Sequence, residues 1–325
     1  MASFLRNVFV MGLIGASVQS LGSSAGSLIH EQLEHDGMVR DYYVHVPSVY
    51  DSTKPVPLVL VFHGGGGTAE QFARFTGFGR MAEKHGFIAV FPQGVRRQWY
   101  DDRLALALGN PRRVDDVGFV PALLKKLKDQ YAIDASRVYA TGMSNGGIFS
   151  QQLAIKASEH FAAVASVAAQ IPAPTVEKFA PKERISVLLM NGTEDPLVPY
   201  RGGEITIAIP ALRRLWGGVQ KRGEVISTDK TIQMWIKHNG LPDKPTVETL
   251  PDRVLSDGCT VERSVWKEPS QFVSVELYKI IGGGHTYPGG LQYLPEERIG
   301  KTCRDFNATE VIWDFFERHP RLSNN

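Results

Sequence analysis

Cysteine is scarce: two in 325 residues, too few for a scaffold held by disulfides. No Cys-x-x-Cys occurs, which sets aside a thiolate metal or redox centre. Charge of one sign is also lacking. Lys plus Arg is 36 against 34 Asp plus Glu, a net charge of +2, so no broad basic footprint for nucleic acid exists. Beyond residue 25 no uncharged apolar run approaches the roughly 18 residues of a membrane-spanning helix. Internal repeats, blocks of like charge and Ser/Thr/Pro-rich linkers are missing too, which excludes a solenoid and a string of tethered modules. With 43% hydrophobic and 22% charged residues, and 32 Gly and 19 Pro, the chain is neither disordered nor fibrous. An ordinary globular protein is left, long enough for one large α/β domain.

The first 25 residues read as a secretory signal peptide. Arg6 supplies the positive start, Val8 to Val18 is an apolar core too short to span a bilayer, and Ser23-Ser24-Ala25 offers small residues for cleavage. An uncleaved anchor is the alternative. The mature protein, residues 26–325, is expected to be a single domain, secreted or periplasmic and free of the membrane after cleavage. In an exported protein Cys259 and Cys303 can form one disulfide; two free thiols are the other reading.

Strand and helix signals alternate along the chain. Tyr42, Val44 and Val46 alternate as in a half-buried strand, and Pro57 to Phe62 is the continuous apolar run of a buried one. Further strands are expected at Phe87–Phe91, Arg137–Thr141, Val164–Ala168, Ile185–Met190 and Phe272–Ile281. A helix from Thr68 carries Phe72, Phe75 and Met81; others are expected over Val114–Leu127, after Gly146, over Asp229–His238 and over Asn307–Arg318. This alternation predicts a mostly parallel sheet with helices on both faces. Residues 200–228 are irregular and read as an insertion or a lid over a cleft.

Gly142-Met143-Ser144-Asn145-Gly146 fits Gly-x-Ser-x-Gly between a strand and a helix. A nucleophilic serine there stands on a turn too tight for side chains two residues away, with a helix N-terminus behind it. Serine needs a base and an orienting acid. Asp195 follows one strand and His285 another, in the order nucleophile, acid, histidine. Glu194 competes as the acid; His238 and His319 compete as the base but read as surface histidines. Two N–H groups must hold the oxyanion: Asn145 after the nucleophile, and one in His63-Gly64-Gly65-Gly66-Gly67, assigned to Gly65. No Lys-Ser or Lys-Thr follows that run, so it is not a phosphate loop. Trp99, in Trp99-Tyr100-Asp101-Asp102-Arg103, could wall an acyl pocket or pack as a loop residue. His30-Glu31 with Glu34-His35 looks metal-like, but the histidines are five apart and off one helical face, so no metal is expected. Asp115-Asp116 reads as a helix cap.

Together with Pro92-Gln93-Gly94, Asp115 to Phe119, Asn191 to Asp195, Gly283-Gly284-His285-Thr286 and Ile312 to Phe316, these motifs resemble the polyhydroxybutyrate depolymerase/feruloyl esterase family of exported α/β-hydrolases. The resemblance runs from about Gly37 to Pro320. It implies an α/β-hydrolase fold and carboxylic-ester hydrolysis without metal or organic cofactor, with Ser144, Asp195 and His285 as the triad. Where the family usually has Thr-Trp-Pro-Gly-Gly, this chain has Thr286-Tyr287-Pro288-Gly289-Gly290, which makes Tyr287 a candidate pocket residue. The family's polymer depolymerases usually append a linker and a polymer-binding domain. Neither is expected here, so soluble esters or oligomers are the expected partners, with hydroxycinnamoyl (feruloyl) esters ahead of hydroxyalkanoate oligomers and acetylated xylan. A peptidase and an inactive binding protein are weaker alternatives.

Overall fold

The structure is a computed structural model that describes residues 28–103, 114–208, 219–268 and 272–321. The expected signal peptide lies outside the described residues, as does 209–218 within the irregular stretch.

The strands are β1 Leu28–His35, β2 Met38–His45, β3 Val56–Phe62, β4 Ile88–Pro92, β5 Ile133–Met143, β6 Ala163–Val167, β7 Ser186–Gly192, β8 Gly203–Ala208, β9 Val219–Val225, β10 Thr246–Thr249, β11 Thr260–Lys267 and β12 Ser274–Ile281. Ten of them form one sheet in the order β1-β2-β4-β3-β5-β6-β7-β12-β11-β10. The run from β4 to β12 is parallel, and β1, β2, β10 and β11 extend it antiparallel on both sides. The parallel strands are apolar along their length because helices cover both faces. β3, for instance, is buried at every residue after Val56.

The helices are α1 Ala69–Thr76, α2 Phe78–His85, α3 Asp116–Gln130, α4 Asn145–Lys156, α5 Thr228–Asn239, α6 Glu296–Ile299 and α7 Ala308–Glu317. The single helix expected from Thr68 is two. Gly77, at φ 72°, closes α1 with its N–H on the Ala73 carbonyl and starts α2, a left-handed position that costs glycine little. Asp115 caps α3 through the Gly118 N–H. Asp116 does not share in the cap. It forms a buried ion pair with Arg40 at 2.5 Å and accepts the Tyr100 N–H at 2.7 Å. On one face α7 buries Ile312, Trp313, Phe315 and Phe316, with Trp313 stacked on Phe87 at 4.1 Å and Phe316 on Tyr139 at 4.6 Å. Burying each such side chain is worth about 2–3 kcal/mol.

Within the irregular stretch, β8 and β9 pair as a separate antiparallel ribbon. Ile205 and Val225 pack on Ile148 of α4, and the Ile226 N–H bonds the Ile171 carbonyl.

Candidate active site

All the expected chemistry falls at the carboxyl ends of the parallel strands, where open α/β sheets gather ligands. β5 ends at Met143, Ser144 turns the chain, and α4 begins at Asn145. Ser144 has φ 56° and ψ −124°, a conformation that non-glycine residues rarely hold. Close packing makes the turn possible. A Cβ on Gly146 would lie 2.1 Å from the Phe62 carbonyl oxygen, and one on Gly142 2.5 Å from the Gly146 carbonyl carbon. The Ser144 N–H donates to Val167 O at 2.8 Å, anchoring the turn to β6. Among the described residues the Ser144 hydroxyl has no hydrogen-bond partner.

Asp195 and His285 meet. His285 Nδ1 lies 2.7 Å from Asp195 Oδ2, and both side chains are buried. Asp195 Oδ1 accepts the N–H groups of Leu197 and Val198, each at 2.8 Å, so the carboxylate is fixed before it touches the ring. Glu194 is exposed and its N–H bonds Gly283 O, which ties the acid's turn to the histidine's loop. That loop is threaded against the segment before α7. Gly284 N donates to Lys301 O and His285 N to Ile299 O, and a Cβ on Gly284 would sit 2.1 Å from Ile299 O. Tyr293, with no motif to mark it, donates its hydroxyl to the His285 carbonyl at 2.8 Å.

The competing histidines stand elsewhere. His238 is partly exposed and bonds the Glu183 carbonyl. His319 is not a surface residue as expected. It is 2% exposed, held between Ser274 Oγ at 2.8 Å and the Phe315 carbonyl at 2.7 Å. His30 bonds Asp41 at 2.8 Å, and His35 Nε2 lies 3.5 Å from an Asp115 oxygen, so the two histidines face separate carboxylates.

Of the glycine run, Gly64 lies against Ser144: a Cβ on it would be 3.6 Å from Ser144 Cβ. Gly65 lies against the Gln98 side-chain amide, 3.0 Å from a would-be Cβ. His63 holds the run in shape. Its Nε2 accepts the Gly94 N–H at 3.0 Å and is 3.0 Å from Gln93 Nε2, so Nδ1 carries the proton and donates to Gly64 O at 2.8 Å. Burial pushes His63 down to about 4. Asn145, at the first position of α4, has an N–H without a partner inside the helix.

Two pocket assignments are corrected. Trp99 is 0% exposed, with its indole N–H on the His63 carbonyl at 2.9 Å and its ring stacked on Phe149 at 5.0 Å. It is a core wedge under the glycine run and presents no surface to a substrate. Tyr287 is 4% exposed, packs edge-on against Phe72 and Phe75, and places its hydroxyl 2.9 Å from Thr309 Oγ1. An aromatic residue at this position supports the fold. An open groove of about 570 Å³ lies between Met38–Asp41 and Gln93–Arg97.

The expected disulfide is not formed in this structure: Cys259 and Cys303 are buried free thiols. Their sulfurs and an Asp257 oxygen lie within 4.8 Å of one another, the one such donor group among the described residues. Both Asp257 oxygens already accept backbone N–H groups, from Cys259 and Arg304. A hydrogen bond with Cys259, then burial, pushes the Cys303 thiol far above its ordinary range, so that sulfur does not gain by ionising. Oxidation with oxidised glutathione is expected to give a linked Cys259–Cys303 peptide in non-reducing mass spectrometry and to add about 2–4 kcal/mol of stability. Two alkylatable thiols after that treatment would contradict the pairing.

The buried neutral histidines set an acid limit. Burial lowers both His63 and His319 to about 4 from an ordinary 6.5. Between those values the unfolded chain binds protons that the folded one refuses, so stability falls as pH drops from 6.5 towards 4 and levels below. The full effect is about 3 kcal/mol per histidine. Urea midpoints at pH 7 and pH 4.5 measure it; equal midpoints would contradict it.

Residues 41–173 match the family model described as Esterase PHB depolymerase. The putative esterase NocK of Nocardia uniformis subsp. tsuyamanensis is 31% identical over 281 residues, covering 86% of this chain and 79% of that protein. Feruloyl esterase B of Piromyces equi is 25% identical over 77% of this chain, a region that makes up 43% of that enzyme. Among solved structures, an acetyl xylan esterase from Aspergillus awamori matches the fold with a TM-score of 0.56 at 15% identity, over 89% of this chain and 99% of that one. Sheet and likenesses together define a carboxylic ester hydrolase of the α/β-hydrolase fold. More narrowly, the chain belongs to the Esterase PHB depolymerase family. No helix among the described residues is long and apolar enough to cross a membrane.

Proposed function

We propose that this esterase is an exported enzyme that cleaves hydroxycinnamoyl (feruloyl) esters of plant polysaccharide through an acyl-enzyme on Ser144. The observation that carries the mechanism is the bond of 2.7 Å between His285 Nδ1 and Asp195 Oδ2. With Nδ1–H directed at the carboxylate, Nε2 keeps the lone pair that takes the serine proton. The Ser144 hydroxyl then gives its proton to that nitrogen; such contacts often tighten only with substrate bound. Ser144 Oγ then bonds to the ester carbonyl carbon, and the N–H groups of Asn145 and Gly65 hold the oxyanion. His285 passes the proton to the departing alcohol. Water, deprotonated by His285, attacks the acyl carbon, and the Ser144–acyl bond breaks to release the acid.

The feruloyl assignment is supported by the Piromyces equi relative. Hydroxyalkanoate oligomers are the second reading, supported by the family's description. Export rests on the character of residues 1–25. Purified protein assayed on p-nitrophenyl acetate, methyl ferulate, a hydroxybutyrate trimer, acetylated xylan and a peptide amide decides the class, with Ser144→Ala beside it. Methyl ferulate is expected to give the highest kcat/KM among the natural-type esters. Faster turnover of the trimer would overturn the feruloyl reading, and turnover of the amide alone would overturn the ester reading.

A further inference from the structure

The motif Trp99-Tyr100-Asp101-Asp102-Arg103 is not absorbed by the triad, yet two of its charges are buried beside the nucleophile's helix. Asp101 and Arg103 are each 4% exposed. The Asn145 side chain is clamped by this segment: its Oδ1 accepts the Trp99 N–H at 2.7 Å, and its Nδ2 donates to Trp99 O at 2.9 Å and to Asp101 Oδ2 at 3.1 Å. Asp101 is held in turn by Arg103, whose Nη2 reaches Oδ2 at 2.7 Å and whose backbone N–H and Nε reach Oδ1 at 2.9 and 3.0 Å. Arg103 also meets the β8–β9 ribbon. Its Nη1 donates to Arg222 O at 3.3 Å, and Gly223 passes so close that a Cβ there would be 2.8 Å from Arg103 Cβ.

Burying an ion pair costs desolvation that an apolar pair of the same size avoids, so such a pair is a weak source of stability. What this pair adds is direction. It fixes the side chain of Asn145, the residue whose backbone N–H faces the developing oxyanion, and that donor helps only if its aim is set before reaction. We propose that Asp101 and Arg103 are positioning residues for the oxyanion hole: Asp101 locks Asn145, and Arg103 ties that lock to β9. The proposal rests on the reading of Ser144 as nucleophile.

The pattern of loss is diagnostic. In Asp101→Asn one of the two acceptor oxygens becomes an NH₂ donor, so the contacts to Arg103 and Asn145 cannot all be kept, and kcat on p-nitrophenyl acetate is expected to fall about 10- to 100-fold. KM should stay within about threefold, because the ground-state ester uses the donor little. Inhibition by phenylboronic acid, which forms a tetrahedral adduct on the serine oxygen, should weaken by the same factor as kcat/KM. Arg103→Ala should match Asp101→Asn, and Arg103→Lys, which keeps the charge but not the fork, should recover part of the loss. A folded Asp101→Asn protein with kcat within about twofold of wild type and unchanged boronate affinity would overturn the proposal, as would a loss confined to KM. If Asp101→Asn does not fold, Arg103→Lys decides on the same readouts. Should Ser144→Ala retain turnover, the nucleophile assignment itself fails; wild-type behaviour of Asp101→Asn in an enzyme silenced by Ser144→Ala defeats only the positioning role.

Discussion

Replacing Ser144 with alanine is expected to lower kcat on p-nitrophenyl acetate by at least about 10⁴-fold while leaving the fold intact. No neighbouring group can take over: the residues flanking the turn are Met143 and Asn145, and the imidazole at 285 would be left with only water to activate. Stability should rise slightly or stay level, since alanine removes only a hydroxyl that has no hydrogen-bond partner among the described residues. Stopped-flow traces should show a burst of p-nitrophenol from wild type and none from the variant. Equal activity of the two proteins would remove Ser144 from the chemistry.

The second large effect is expected from Asp195→Asn. The shape is kept, and Oδ1 can still accept the N–H groups of Leu197 and Val198, now at 2.8 Å each. The amide NH₂ then faces His285 Nδ1, where the carboxylate oxygen now sits at 2.7 Å. A donor at that place selects the tautomer with the proton on Nε2, so the ring has no lone pair for the serine. A fall in kcat of about 10³- to 10⁴-fold is expected, with a thermal midpoint within a few degrees of wild type. A loss of less than about tenfold in a folded variant would mean that another group orients the ring.

The site was legible where chemistry needs rare residue types in a fixed frame. Gly142-Met143-Ser144-Asn145-Gly146 announces its turn because only glycine tolerates the approach of the Phe62 carbonyl; Asp195 follows the apolar run Ile185–Met190, and His285 follows a segment, Phe272–Ile281, that alternates as a strand. The parallel centre was readable for the same reason. Less visible were the antiparallel β10 and β11, since Thr246–Thr249 is exposed throughout and carries no hydrophobic alternation. The pocket residues were misjudged because aromatic character alone does not tell a wall from a wedge: Trp99 and Tyr287 are both buried. Asp101, Arg103 and Tyr293 act through contacts with residues far along the chain, such as Asn145 and the His285 carbonyl, and local pattern does not reveal such contacts.

Helix α4 is buried from Asn145 to Ile155, with Ser150, Gln151 and Gln152 all bonded inside the protein. The nucleophile is therefore mounted on the part of the molecule least able to vary, and drift in sequence cannot retune it without unseating the core. Changes in acyl preference are then expected to be tolerated in less enclosed segments near the turn, such as 94–98, rather than along α4.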